Sequence, residues 1–154
     1  MQVLPGAKGM LNYHPLFVHF PIAFWLAALL FEALAVWRSS DEWHRTAARL
    51  LYLGTLSALA AAGTGLLAEE SVPETGPASH VVEIHMVLML VTTSAAVGLC
   101  MFPFFMRKKF TPGLRKLFLA GLIVLAALLT VGSDRGAQLV YQYATSVRLP
   151  APSK

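Results

Sequence analysis

Four of the five histidines in this 154-residue chain fall in two pairs of equal spacing, His14/His19 and His80/His85, each at the start of a long apolar run. Imidazole titrates near neutrality and is the commonest metal ligand among side chains. Inside a membrane, an ionisable group is costly enough to mark a functional site. A five-residue step advances a helix by about 7.5 Å and turns it by about 140° net, so both members of a pair cannot point straight at one bundle axis. His14 precedes Pro15 and sits in the cap region, while Pro21 removes a backbone bond near His19. The deeper members, His19 and His85, are therefore expected to face each other. On diagonal helices, roughly 11–14 Å apart in a square bundle, two imidazoles can hold one haem iron from opposite faces. The outer pair, His14 and His80, would hold a second haem in another gap, bind haem propionates, or carry a smaller ion. The plainer reading is four interfacial histidines bonded to backbone or water. His44, between Trp43 and Arg45, reads as a surface residue of a loop.

The composition says what must position these rings. Hydrophobic residues make up 56% of the chain and charged ones 13%, with a mean hydropathy of +0.63. A soluble domain carries about 25% charged residues, so this chain has too little polar surface to be wrapped by water. Disorder falls with the same numbers, and Cys100 alone builds no disulfide framework. Four stretches are long enough to cross a bilayer at about 20 residues each: about Pro15–Trp37, Leu50–Leu67, Val81–Phe105 and Leu114–Val131. Lipid leaves the backbone no outside partner, and barrel alternation is missing, so all four read as helices. The expectation is an all-α membrane protein, one domain over residues 1–154, its four transmembrane helices in an antiparallel bundle. Ala33-Leu34-Ala35 suits a signal peptidase, but a long run with two prolines and two histidines favours a retained span.

Lys and Arg set the orientation. Arg38, Arg45, Arg49, Arg107, Lys108, Lys109, Arg115 and Lys116 fall on one side, and Lys8, Arg135, Arg148 and Lys154 on the other. The middle connection holds only acids, Glu69, Glu70 and Glu74. Both termini are thus expected outside, with Trp37 and Trp43 at the inner interface and Tyr13, Tyr141 and Tyr143 at the outer one. The net charge of +4 is a topology signal, and nucleic acid is not an expected partner.

Other side chains carry weaker signals. Glu83 shares a helix face with His80 and could orient it or join a metal site. Glu32, near the inner end of the first span, reads as snorkelling toward the basic loop. Arg135 could pair with haem propionates; a simple interface pair with Asp134 is the alternative. Met86 beside His85 would suit copper, while Met89, Met101 and Met106 read as packing and Cys100 lies far from the histidines. Gly54, Ala58, Ala62, Gly63 and Gly65, with Gly121, Gly132 and Gly136, would make room for a macrocycle or simply let membrane helices pack. No nucleophile–base pair, phosphate loop or Cys-x-x-Cys is present, so hydrolytic chemistry has no support.

The run Asn12-Tyr13-His14-Pro15-Leu16-Phe17-Val18-His19-Phe20-Pro21-Ile22-Ala23 resembles the opening of the bacterial membrane family of unknown function 2231 (DUF2231). The similarity extends to the four-span layout, to His80 and His85, and to Gly136-Ala137-Gln138-Leu139-Val140-Tyr141. Family members often carry two adjacent glycines before Leu-Val-Tyr and a His-Gly after it. This chain has Gly136-Ala137 and Tyr143-Ala144 there, so a tail histidine is not carried over. The resemblance implies a multi-pass protein of the bacterial cytoplasmic membrane, in electron-transfer company, since some members are fused to iron–sulfur or cytochrome-like domains.

Together these readings favour a b-type haem electron-transfer subunit with one haem, or two, near the outer face and His19 and His85 as axial ligands. Its partners would be membrane lipid, a redox protein on the outer side or in a membrane complex, and a quinone pool. It reads as a subunit rather than a self-contained enzyme. Two alternatives stand beside it: a structural or assembly subunit, and a haem-free copper or zinc binder or transporter.

Overall fold

The computed structural model of the chain describes residues 13–69, 75–105 and 111–145. They form α1 (His14–Phe17), α2 (His19–Arg38), α3 (Asp41–Glu69), α4 (Pro77–Phe105) and α5 (Pro112–Tyr143). α1 and α2 make one span, His14–Arg38, broken only at Val18. Pro21 has no N–H to give the Phe17 carbonyl four residues back, so the first turn is loosened there. This span and α3, α4 and α5 are each long and apolar enough to cross a membrane. The chain is an all-α membrane protein of four spans.

The helices run beyond the apolar stretches. α3 begins at Asp41 rather than near Leu50, and α5 continues to Tyr143 rather than ending near Val131. Polar residues outside the hydrocarbon keep helical hydrogen bonding, so hydropathy under-reads helix length. As a result the α2–α3 connection is only Ser39 and Ser40, with Ser39 closing α2 in the left-handed region (φ 50°). Arg45 and Arg49 lie on a helix rather than in a loop. Lys8, Glu70, Glu74, Met106, Arg107, Lys108, Lys109, Arg148 and Lys154 lie outside the described residues.

The helices pack as a ring. α2 packs on α3 and α4 on α5, while α2–α5 and α3–α4 contacts close the square. The first span and α4 are therefore diagonal, as are α3 and α5. Small residues let the backbones approach: Ala28, Ala35, Ala47, Ala58, Ala61 and Ala96 are buried. Larger apolar chains such as Leu30, Leu56, Leu67 and Val124 face outward, as expected where lipid is as apolar as the core. The central cluster gathers Trp25, Leu51, Phe118, Leu122, Leu125 and Leu129. Within it Thr55 accepts from the Trp25 indole N–H (3.4 Å) and from Cys100 Sγ (3.3 Å), and donates to the Leu51 carbonyl (2.8 Å). At the α2–α3 turn, the Arg38 guanidinium covers the exposed Trp37 ring at 4.6 Å, and Trp43 meets Phe31 edge-on at 6.1 Å.

Candidate functional site

At the end of the bundle where the first span begins and α5 ends, two histidines meet across its diagonal. The His14 and His85 ring centroids are 6.5 Å apart and their planes lie 79° from parallel. His14 opens the first span, where Pro15 follows it in the first turn. His85 lies more than two turns inside α4, which begins at Pro77. This offset of the helix starts brings the first histidine of one pair level with the second of the other.

Each ring is held the same way. His14 Nδ1 bonds the Ala61 carbonyl at 3.0 Å, with Thr64 Oγ1 at 3.3 Å. His85 Nδ1 bonds the Gly132 carbonyl at 2.8 Å. A carbonyl oxygen only accepts, so each Nδ1 carries a proton, and in its neutral form each ring has the Nε2 lone pair left for a ligand. A glycine then lies against each ring: a Cβ built on Gly65 would stand 3.0 Å from His14 Cε1, and one on Gly136 would stand 3.0 Å from His85 Cε1.

The correspondence is an internal repeat. Each histidine is 47 residues before its carbonyl. A constant shift of 71 residues carries the first half onto the second (14 to 85, 61 to 132, 65 to 136). Two helical hairpins in one orientation therefore face each other about an axis along the bundle, with the histidine rings on either side of it. This shift is legible in the sequence, but the equal spacing of the pairs His14/His19 and His80/His85 suggests a different one.

The other anticipated residues are placed apart from this centre. His19 is exposed on the first turn of α2, and His80 is exposed on the first turn of α4. The expected facing pair of His19 and His85 is thus corrected to His14 and His85, because the roughly 140° turn between positions 14 and 19 aims only one ring inward. Arg135 is half-buried next to Gly136 and donates to Gln138 Oε1 at 3.0 Å. Glu83 and Asp134 are exposed. Among the described residues no group of three or more His, Cys, Asp or Glu is arranged to hold a metal ion.

The two-imidazole donor set nevertheless fits haem. A porphyrin fills four positions of its iron and asks the protein only for axial ligands. The backbone carbonyls on both Nδ1 atoms are the outer-shell partners that orient metal-binding imidazoles. Gly65 and Gly136 make room for the two rings, since a Cβ at either position would crowd the imidazole beside it.

The opposite end of the bundle holds polar groups that sequence reasoning placed at the surface. Glu32 is fully buried and His44 nearly so, and His44 Nδ1 lies 2.7 Å from Glu32 Oε2. The His44 ring also meets Phe118 edge-on at 5.6 Å. Starting α3 at Asp41 turns His44 inward, which corrects its reading as a loop residue and that of Glu32 as snorkelling. The spacing of Glu32 from the inward-facing Trp25, Ala28 and Ala35 is the signal that could have found it.

A family model described as predicted membrane protein (DUF2231) matches residues 10–148. No curated protein and no solved structure matches the chain.

Proposed function

The chain belongs to the DUF2231 family of predicted membrane proteins, and from that premise we propose that it is a membrane electron-transfer subunit binding one b-type haem. The observation that carries the reading is the His14–His85 pair, 6.5 Å between centroids, with both Nδ1 atoms committed to backbone carbonyls. His14 and His85 would hold the haem iron. Ala61 and Gly132 hold the rings in one tautomer through their carbonyls, and Gly65 and Gly136 make room for the rings themselves. Arg135 has guanidinium donors beyond the one used by Gln138 and is suited to a propionate. Bound haem would supply reversible one-electron chemistry.

The positive-inside rule favours an outer location for this end of the bundle, where a redox protein can dock, with lipid around the spans and quinol as the electron source. The zinc reading is weaker, because two imidazoles fall short of the three or four protein ligands such sites take, and iron, copper or zinc content of the purified protein separates the metals. The test is an optical spectrum of purified protein expressed with a haem supply. A bis-imidazole b-type spectrum is expected on reduction, lost in His14→Ala and in His85→Ala and retained in His19→Ala and His80→Ala. Protein without haem, or a spectrum unchanged in both His14→Ala and His85→Ala, overturns the reading.

A further inference from the structure

Arg45 and Arg49 stand one helical turn apart on an exposed face of α3 that continues into the exposed Leu53 and Leu56. The opposite face turns Ala47, Ala48, Leu51, Gly54 and Thr55 into the bundle. Arg49 is the last charged residue before the apolar run that begins at Leu50, so it stands where lipid headgroups meet hydrocarbon. Arg45 is about 6 Å further out at the helical rise. Leu53 and Leu56 lie on the other side of Arg49, at the depth of the acyl chains.

Neither arginine is in an ion pair among the described residues. Glu69, Glu83 and Asp134 belong to the other end of the bundle, and Glu32 is buried against His44. Asp41, one turn before Arg45, is bonded to Arg115 and meets Arg45 only through its charge. Glu42 is left, on the solvent side of Arg45 and two turns from Arg49. Arg38, the other cation beside the α2–α3 turn, lies over the Trp37 ring. The fold does not require the doublet: the 71-residue shift carries Arg45 onto Lys116 and Arg49 onto Ala120, so the second hairpin packs with one cation on this face. Two like charges one turn apart repel, and the anion that relieves them must come from outside the chain.

We propose that Arg45 and Arg49 hold the phosphate of one anionic phospholipid, with an acyl chain laid along Leu53 and Leu56. A guanidinium presents a planar fork of N–H donors that matches phosphate oxygens, and side chains four residues apart on a helix are near enough to share one phosphate. A headgroup without a cation of its own is preferred, because an ammonium would be repelled by the second arginine. The leucines below the arginines favour a lipid over a free anion. Nothing in this assignment depends on haem at the other end or on which leaflet surrounds this one.

Native mass spectrometry of the full chain in detergent, titrated with phosphatidylglycerol or with phosphatidylcholine, tests it. One phosphatidylglycerol per chain should bind about tenfold or more tightly than phosphatidylcholine, as two arginines at a membrane surface allow. Arg45→Gln and Arg49→Gln should each weaken it about fivefold, the share of one surface arginine. Arg38→Gln removes the same charge from the neighbouring helix and should leave it unchanged. No preference for phosphatidylglycerol, or a preference that either of the first two variants leaves intact, overturns the proposal. So does an equal loss in Arg38→Gln, which would make the effect a general attraction of a positive surface. Excess inorganic phosphate should leave the lipid bound, and its displacement would reject a lipid as the occupant. A dimer of the chain that both arginine variants dissolve would give this face to a second copy and reject the lipid as well.

Discussion

His14 and His85 show how much one ring nitrogen decides. Tying Nδ1 to a backbone carbonyl sets the tautomer, the ring plane and the direction of the remaining lone pair, so each imidazole is oriented before any ligand arrives. The glycine against each ring is the second half of that device. Gly136→Ala or Gly65→Ala would bring a Cβ within 3.0 Å of a ring carbon, forcing the imidazole to shift by a few tenths of an ångström. We expect a roughly 10–100-fold loss of haem affinity, the range seen when outer-shell support is disturbed, with the helical circular dichroism unchanged. The haem-to-protein ratio on titration measures it. The histidine types and their pairing were legible in the sequence, and the partner of each ring was not. Spacing gives an angle within one helix, whereas the level at which two helices meet depends on where each begins.

The elements show a similar division. Four apolar runs announced four helices, but their polar ends were invisible to hydropathy, and with them the short Ser39–Ser40 turn and the inward placement of His44. Packing between α2 and α3 turns on Gly54, where an added Cβ would lie 2.5 Å from Trp25 Cδ1 and 3.1 Å from Phe24 Cβ. Trp25 is almost fully buried and its indole N–H is bonded to Thr55, so it has no free rotamer to yield. Gly54→Ala should cost about 1–3 kcal/mol by overpacking, only partly offset by the helix preference of alanine, about 1 kcal/mol. Gly121→Ala meets the flexible end of Leu99 at 2.7 Å, which can turn aside, and should be close to neutral. Thermal unfolding of the two variants in one detergent compares them; equal melting temperatures would contradict this account. Thr55→Val, which strips the acceptor from Trp25, should cost about 1 kcal/mol by the same assay.

Across the described residues, two hairpins in one orientation enclose a near-symmetric histidine centre at the end where the first span begins and an unsymmetric Glu32–His44 pair at the other. If the charge rule holds, the α2–α3 turn faces the cytoplasm. Ser40→Cys in a Cys100→Ala background should then be labelled by an impermeant thiol reagent in inverted vesicles and be protected in intact cells lacking an outer membrane. The reverse pattern would invert the topology. The sequence by itself determined the membrane class, four helices and the residue types able to do chemistry, because hydropathy and side-chain identity are local properties. Only the tertiary structure decided that His14 rather than His19 meets His85, that Ala61 and Gly132 supply equivalent carbonyls, and that Glu32 is buried against His44. Those outcomes depend on the relative depth and rotation of helices distant in sequence, which packing of whole faces fixes and no local pattern contains.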